Sequence, residues 1–208
     1  MPYFDKNRPP FYMDVTLLEE HGHSSAMIGL SLSKNQSPEH MRDVALKLSQ
    51  QDGGHNKFLE SIMLWVLVKA PRYWWQEADT YRIASKQSES TMHTLIKTIK
   101  SSGLKSEMFE GSLITQEQLY NVEKILLCED LNETEALVLI KGYLPEGFLQ
   151  TRQWCFSYKT LRNIAQQRMQ HRLPHWCYFL HKLYNEIEHP EYLPIMPSTY
   201  FYLENMSI

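Results

Sequence analysis

Phe58-Leu59-Glu60-Ser61-Ile62-Met63-Leu64-Trp65-Val66-Leu67-Val68 follows Gly53-Gly54 and runs on into Lys69-Ala70-Pro71. Its length, its composition and the glycine and proline punctuation favour a long buried strand, although periodicity alone leaves a helix open. Pro71 closes the run, since proline has no N–H to give to a ladder. Towards the C-terminus, residues 73–81 begin a helix. Residues 90–99 form another, with Met92, Leu95, Ile96 and Ile99 at helical spacing. Towards the N-terminus, Phe11-Tyr12-Met13-Asp14-Val15-Thr16-Leu17-Leu18 reads as a second strand, followed by a polar turn through His21, Gly22 and His23. Ser37-Pro38-Glu39-His40 opens a helix, with Ser37 as N-cap, Pro38 at the first helical position, and Met41, Val44, Leu46 and Leu48 as its apolar residues.

The C-terminal half reads as helical. Residues 116–128 carry Leu119, Val122, Ile125 and Leu126; residues 133–143 form a helix that ends at Leu144-Pro145. Residues 158–170 place Leu161, Ile164 and Ala165 on one side, with Lys159, Arg162, Asn163 and Arg168 elsewhere. Residues 174–187 make an aromatic-rich last helix, and the proline-bearing tail 190–208 is expected to be extended, packing on a neighbour or fraying. Strands early and helices late predict an α+β domain, a small sheet with helices. One domain over residues 1–208 is expected, with its core at about 55–189.

Composition narrows the function classes. A formal net charge of −3 gives no bulk reason to expect nucleic acid or an anionic membrane as partner. The longest apolar run is too short to span a bilayer, and the N-terminus has no apolar signal core, so a cytoplasmic location is expected. Cys128, Cys155 and Cys177, odd in number and widely spaced, fit a reducing compartment rather than a disulfide framework. His171, His175, Cys177 and His181 invite a metal assignment, but Pro174 interrupts the helical spacing and no third ligand matches, so packing and surface roles are expected and no metal. Cys155 is expected to be a buried small hydrophobe, and Trp74-Trp75 to sit in the core or a subunit interface. No Walker loop, Rossmann glycine pattern or serine-hydrolase elbow is present.

After the apolar run comes Thr80-Tyr81-Arg82-Ile83-Ala84-Ser85-Lys86-Gln87-Ser88-Glu89-Ser90-Thr91-Met92-His93, rich in hydroxyl and amide groups. Short donors on a rigid support suit an anionic, hydrogen-bonding ligand. The stretch resembles the signature of flavin-dependent thymidylate synthases, Arg-His-Arg-x-x-Ser-x-x-x-x-Ser-x-Arg, with Arg82, Ser85 and Ser90 at matching places. Thr80, Tyr81 and Met92 stand where that family has arginine, histidine and arginine. Further blocks lie in the same order. His55-Asn56-Lys57-Phe58-Leu59-Glu60 is similar to a His-x-(Ser/Thr)-x-Phe-Glu segment, with Lys57 in place of the small hydroxyl residue. Lys141-Gly142-Tyr143-Leu144-Pro145 stands where the family has arginine, two apolar residues and Leu-Pro, and Asn163 and Arg168 match a late family helix.

The resemblance implies a homotetramer in which each active site draws on three subunits and joins FAD, 2′-deoxyuridine 5′-monophosphate (dUMP) and folate. NADPH and methylenetetrahydrofolate enter if the protein is active. Mapped residue by residue, the nucleotide set is Arg82, Ser88, Glu89, Ser90, Lys141 and Arg168, with Ser90 and Arg82 nearest the chemistry. The flavin set is His55, Lys57, Glu60, Tyr81, Gln87, Ser157, Lys159 and Asn163. The departures have physical meaning: neither Met92 nor Thr80 can replace a guanidinium fork on a phosphate. Each charge-assisted bond lost costs about 1.5–3 kcal/mol. Tyr81 offers a ring for stacking but no positive charge; Lys86 and Lys57 are expected to restore some. The two functional expectations are therefore a reductive methyltransferase of this type and a non-catalytic nucleotide-binding protein on the same fold.

Overall fold

The computed structural model describes residues 12–112 and 114–196. Phe11 and residues 197–208, to which part of the predicted first strand and most of the tail belong, lie outside the described residues. Strands β1 (Asp14–His21), β2 (Met63–Pro71), β3 (Ala84–Ser88) and β4 (Leu149–Ser157) form one antiparallel sheet in the order β1-β2-β4-β3. β2 is central. It pairs with β4 over its full length, from Met63↔Ser157 to Pro71↔Leu149.

The decisive apolar run is only partly the expected strand. Lys57–Ser61 winds as a 3-10 turn and the ladder begins at Met63. Two local facts set that start. The Ile62 carbonyl accepts from the Tyr158 N–H at 2.9 Å, the last bond in the register of the ladder, because Tyr158 already opens the helix Tyr158–Arg168. The Ser61 carbonyl is packed against Gly22, where an added Cβ would lie 2.1 Å from its oxygen and where φ is +102°. Only glycine accommodates both the approach and the left-handed backbone. Nor is β2 buried on both faces. Leu64, Val66, Val68 and Ala70 are fully buried, whereas Met63 and Trp65 are half-buried and Leu67 is exposed on the other face.

Helices α1 (His23–Leu32) and α2 (Arg42–Ser49) precede β2, and α3 (Arg72–Ala78) follows it directly. The start predicted at Ser37 is a 3-10 turn, Pro38–His40; Met41 precedes α2 and is fully buried. Helices α7 (Tyr158–Arg168) and α8 (Pro174–Glu186) close the chain's core. Trp74, Trp75, Trp154, Trp176, Phe156 and Phe179 are all fully buried there. Phe179 of α8 stacks on Trp154 of β4 at 5.6 Å, and Trp74 lies 4.7 Å from Trp176. Such ring pairs add about 0.5–1.5 kcal/mol each beyond the area they bury.

A second apolar cluster belongs to α4 (Thr91–Ser102), α5 (Gln116–Leu126) and α6 (Glu133–Tyr143), around Leu95, Ile99, Phe109, Val122, Ile140 and Phe148. Capping boxes start two of these helices, Thr115 with Gln118 and Asn132 with Glu135. The expectation of strands early and helices late is corrected here. The chain returns to the sheet at β4, whose Gln150-Thr151-Arg152-Gln153 segment has none of the apolar character of a buried strand.

Glu110 ties the two apolar clusters together. It is 5% exposed. Its carboxylate receives the Tyr73 hydroxyl, the Tyr12 N–H at 2.9 Å and the His175 ring nitrogen at 2.5 Å. Burial pushes the Glu110 pKa up, but the hydrogen bonds from His175 and Tyr73 outweigh it and hold it below the usual carboxylate range. A carboxyl lowered in this way adds stability above its unfolded pKa, near 4.3, and loses it as pH falls through the folded value. Glu110→Gln should therefore lower unfolding free energy by about 1.5–3 kcal/mol at neutral pH. It should also flatten the decline of the urea midpoint towards roughly pH 3.5. Parallel pH profiles for the two proteins would show that this carboxylate does not carry the linkage.

Candidate functional site

A cleft of about 540 Å³ opens where the loop before β2, the start of β3, the end of β4 and the first turns of α7 meet. Met63, Ile83 and Cys155 supply an apolar floor. Two ion pairs stand at its rim: Lys159 with Glu60 at 2.8 Å, and Arg162 with Asp52 at 2.8 Å. Lys159 also donates to the Gly53 carbonyl at 3.3 Å and Arg162 to the Gln50 carbonyl at 3.3 Å, so α7 fastens the glycine loop over the cleft. Asn56 donates to the Gln51 carbonyl at 2.6 Å from beneath.

Among the described residues, two buried atoms of this lining have no hydrogen-bond partner: the acceptor Asn56 Oδ1 and the donor Arg162 Nε. Buried polar atoms are normally satisfied, so these two await a ligand group or a water. An apolar floor with a few convergent donors and acceptors suits a flat polar ring.

Glu60, Ser157, Lys159 and Asn163, four members of the expected flavin set, line this cleft together with Ser85. Ser157 is also the N-cap of α7, its hydroxyl accepting from the Thr160 N–H. His55 and Lys57 are exposed outside the lining, and Gln87 is exposed on the edge strand β3. The expectation that Tyr81 offers a free ring is corrected. It is buried edge-on against Trp176, its hydroxyl donates to Gln167, and it accepts from Arg168 Nε at 3.0 Å. Cys155, expected to be buried, is half-exposed in the cleft wall, because its place opposite Trp65 turns it to the open face of the sheet. Burial raises its thiol pKa all the same.

The nucleotide set is divided within one chain. Arg82, Ser88, Glu89 and Ser90 are exposed along β3 and the turn into α4. Glu89 fixes that turn, its carboxylate accepting from the Thr151 N–H at 3.2 Å. Lys141, on α6, lies 3.2 Å from the Met92 thioether. Arg168 is elsewhere: it pairs with Glu77 at 3.0 Å and lies over the Trp176 ring at 5.1 Å. Among the described residues, no hydrogen bond or ion pair joins Arg168 to Arg82, Ser90 or Lys141. Lys86 does not restore charge to this region. It points inward over Trp154 at 4.8 Å and donates to the Ala78 and Tyr81 carbonyls, and burial lowers its pKa against the pull of Asp79.

Arg162 and Asn56 are the site residues that sequence reasoning missed. A signal for Arg162 existed, because it falls on the buried stripe of α7 with Tyr158, Leu161 and Ala165, where a cation requires a partner. The described residues contain no group of three or more His, Cys, Asp and Glu able to hold a metal ion. They contain no helix long and apolar enough to cross a membrane.

No protein-family model matches the sequence, and no curated protein matches it significantly. Solved structures do. Thymidylate synthase X (ThyX) from Helicobacter pylori, with FAD and dUMP, superposes with a TM-score of 0.67 at 18% identity, covering 88% of this chain and 97% of that one. A second structure of the same enzyme complexed with FAD and dUMP gives 0.67 at 17% identity, covering 86% and 97%. At such identity the likeness establishes the architecture alone: the chain has a ThyX-like fold.

Proposed function

We propose that the protein binds FAD in the cleft beside α7 and a (deoxy)pyrimidine nucleotide at an interface between copies of itself, and that it reductively methylates dUMP or a related nucleotide. The observation that carries this is the convergence of Glu60, Ser157, Lys159 and Asn163 on one cleft. Those residues were singled out from sequence alone, and the fold is shared with enzymes solved with FAD and dUMP. The residues present fit a flavin: the apolar floor would take a ring, and Asn56 Oδ1 and Arg162 Nε are free for its polar edge. His55, Lys57 and Gln87 would extend the contact from the neighbouring loop and strand. Reduced flavin would supply the hydride, with methylenetetrahydrofolate as the one-carbon donor and NADPH as reductant.

On the protein's side, Arg82 and Arg168 would anchor the nucleotide, Ser88, Glu89 and Lys141 would hold it, and Ser90 would stand nearest the pyrimidine. The separation of Arg168 from Ser90 and Lys141 within one chain supports a site assembled from several subunits, in a homotetramer. Membrane and nucleic acid are not among the proposed partners, and the place of action would be the cytoplasm. The whole chain, residues 1–208, would act as one domain.

A second reading, a non-catalytic nucleotide-binding protein, is favoured by two facts. Thr80, Tyr81 and Met92 lack the charges of the signature, and Arg168 already has Glu77 and Tyr81 as partners. Binding tolerates such losses better than hydride transfer does.

Protein incubated with FAD and passed through a desalting column should keep visible flavin absorption. Asn163→Ala should weaken that retention about tenfold, as expected for the loss of a single polar contact. A colourless product would remove the flavin reading, and a yellow protein without dUMP turnover would select the non-catalytic one. Arg168→Ala should lower the ligand-free unfolding free energy by about 1.5–3 kcal/mol, since it leaves Glu77 without its cation. Unchanged stability together with lost nucleotide binding would show a guanidinium committed to ligand alone.

A further inference from the structure

Between α2 and the turn before β2, residues 50–55 are all exposed. A Cβ added at Gly53 or Gly54 would meet nothing within 4 Å, so this stretch is held by polar contacts rather than by packing. Gly53 also has φ +70°, a backbone that glycine adopts without strain. At one end Gln50 donates to the Ser49 hydroxyl at 3.3 Å and to the Glu191 carbonyl at 3.4 Å. At the other end Asn56 is 2% exposed. Residues 51–54 thus form a strap between two anchors, and Asp52 and Gly53 line the cleft.

Two of the side chains that fasten the strap have a second, unused end. Arg162 donates from Nη1 to Asp52 at 2.8 Å and from Nη2 to the Gln50 carbonyl at 3.3 Å, while its buried Nε has no partner among the described residues. Asn56 repeats the arrangement with the opposite polarity. Its Nδ2 donates to the Gln51 carbonyl at 2.6 Å, and its buried Oδ1 has no donor among the described residues. Lys159 adds a tie to the Gly53 carbonyl at 3.3 Å, but its charge is already paired with Glu60. The Asp52 side chain is 80% exposed and that of Arg162 only 7%, so a fixed, buried cation holds a carboxylate that stands in water. An ion pair with one partner so exposed is a weak fastening by itself.

We propose that closure of the strap and occupancy of the cleft are coupled through Asn56 and Arg162, positioning residues that each grip the strap with one end and the occupant with the other. The inference rests on the flavin reading above and takes FAD as the occupant. An N–H of the ring system against Asn56 Oδ1, and a carbonyl or ring nitrogen against Arg162 Nε, would satisfy both buried atoms and fix both rotamers. Fixing them holds Asp52 and the Gln50 and Gln51 carbonyls in place, so an occupied cleft stabilises the closed strap. Gly53 and Gly54 would absorb the backbone change on opening. The coupling is reciprocal: the factor by which FAD favours closure is the factor by which closure tightens FAD. Hydration of the two atoms alone would instead leave the strap indifferent to the cleft.

Hydrogen exchange of the full chain, read by mass spectrometry with and without saturating FAD, tests the coupling and needs no variant. Exchange across residues 51–56 should slow about tenfold when FAD is bound. Asp52→Asn removes the latch's charge and keeps an acceptor for Arg162. It should speed FAD release about tenfold while leaving the melting temperature of the FAD-free protein nearly unchanged. In Asn56→Ala, FAD that still binds should no longer slow exchange in the strap. Binding of FAD without any change of exchange across residues 51–56 would overturn the proposal and leave the flavin reading intact. So would release from Asp52→Asn at the unaltered rate. A protein that takes up no FAD at all would sink both.

Discussion

The pairing of β2 with β4 governs the rest of the molecule. It is uninterrupted from Met63↔Ser157 to Pro71↔Leu149, and it sets Trp154 beside Val66 and Phe156 beside Leu64 on the buried face. Helix α8 then has an aromatic surface to close, which Phe179 does by stacking on Trp154. The same strand serves the cleft, because its C-terminal end delivers Cys155 and Ser157 to it. A slip of one residue in that register would turn Trp154 outward and remove the site with it.

Charge in this protein serves architecture as often as it faces solvent. Glu110, Lys86, Arg162 and Arg168 each hold separate segments together through hydrogen bonds to carbonyls, hydroxyls or opposite charges. Desolvating a charge is costly, and it is tolerated only where such partners are fixed in advance. The basic residues that look most suggestive along the sequence are therefore not all available to a ligand. Arg162 fastens a loop and Lys86 caps carbonyls, whereas Lys141 has no carboxylate partner among the described residues.

How much could be read from the sequence followed from where the information lies. Helix α6 was legible to the residue, because Leu144-Pro145 closes it; the structure adds the capping box of Asn132 with Glu135 at its start. Strand β2 was placed too early, since the apolar residues on its open face hide the alternation that would have shown its true start. β4 was missed because Gln150, Thr151, Arg152 and Gln153 look like a loop; its place at the centre of the sheet comes from pairing partners distant in the chain. At the candidate site, the gathering of Glu60, Ser157, Lys159 and Asn163 was anticipated through resemblance. Asn56 and Arg162 were not, because their importance lies in what stands opposite them in space.

Both borders of the sheet are disarmed. On one side β1 is bulged between Leu17 and Glu19, and the Leu17 N–H is claimed by the Glu186 carboxylate at 2.9 Å. On the other, β3 is only five residues long, mostly polar, and turns a lysine inward. Short, charged or kinked margins make poor templates for a visiting strand. The sheet therefore resists strand-by-strand growth into fibrils at high concentration.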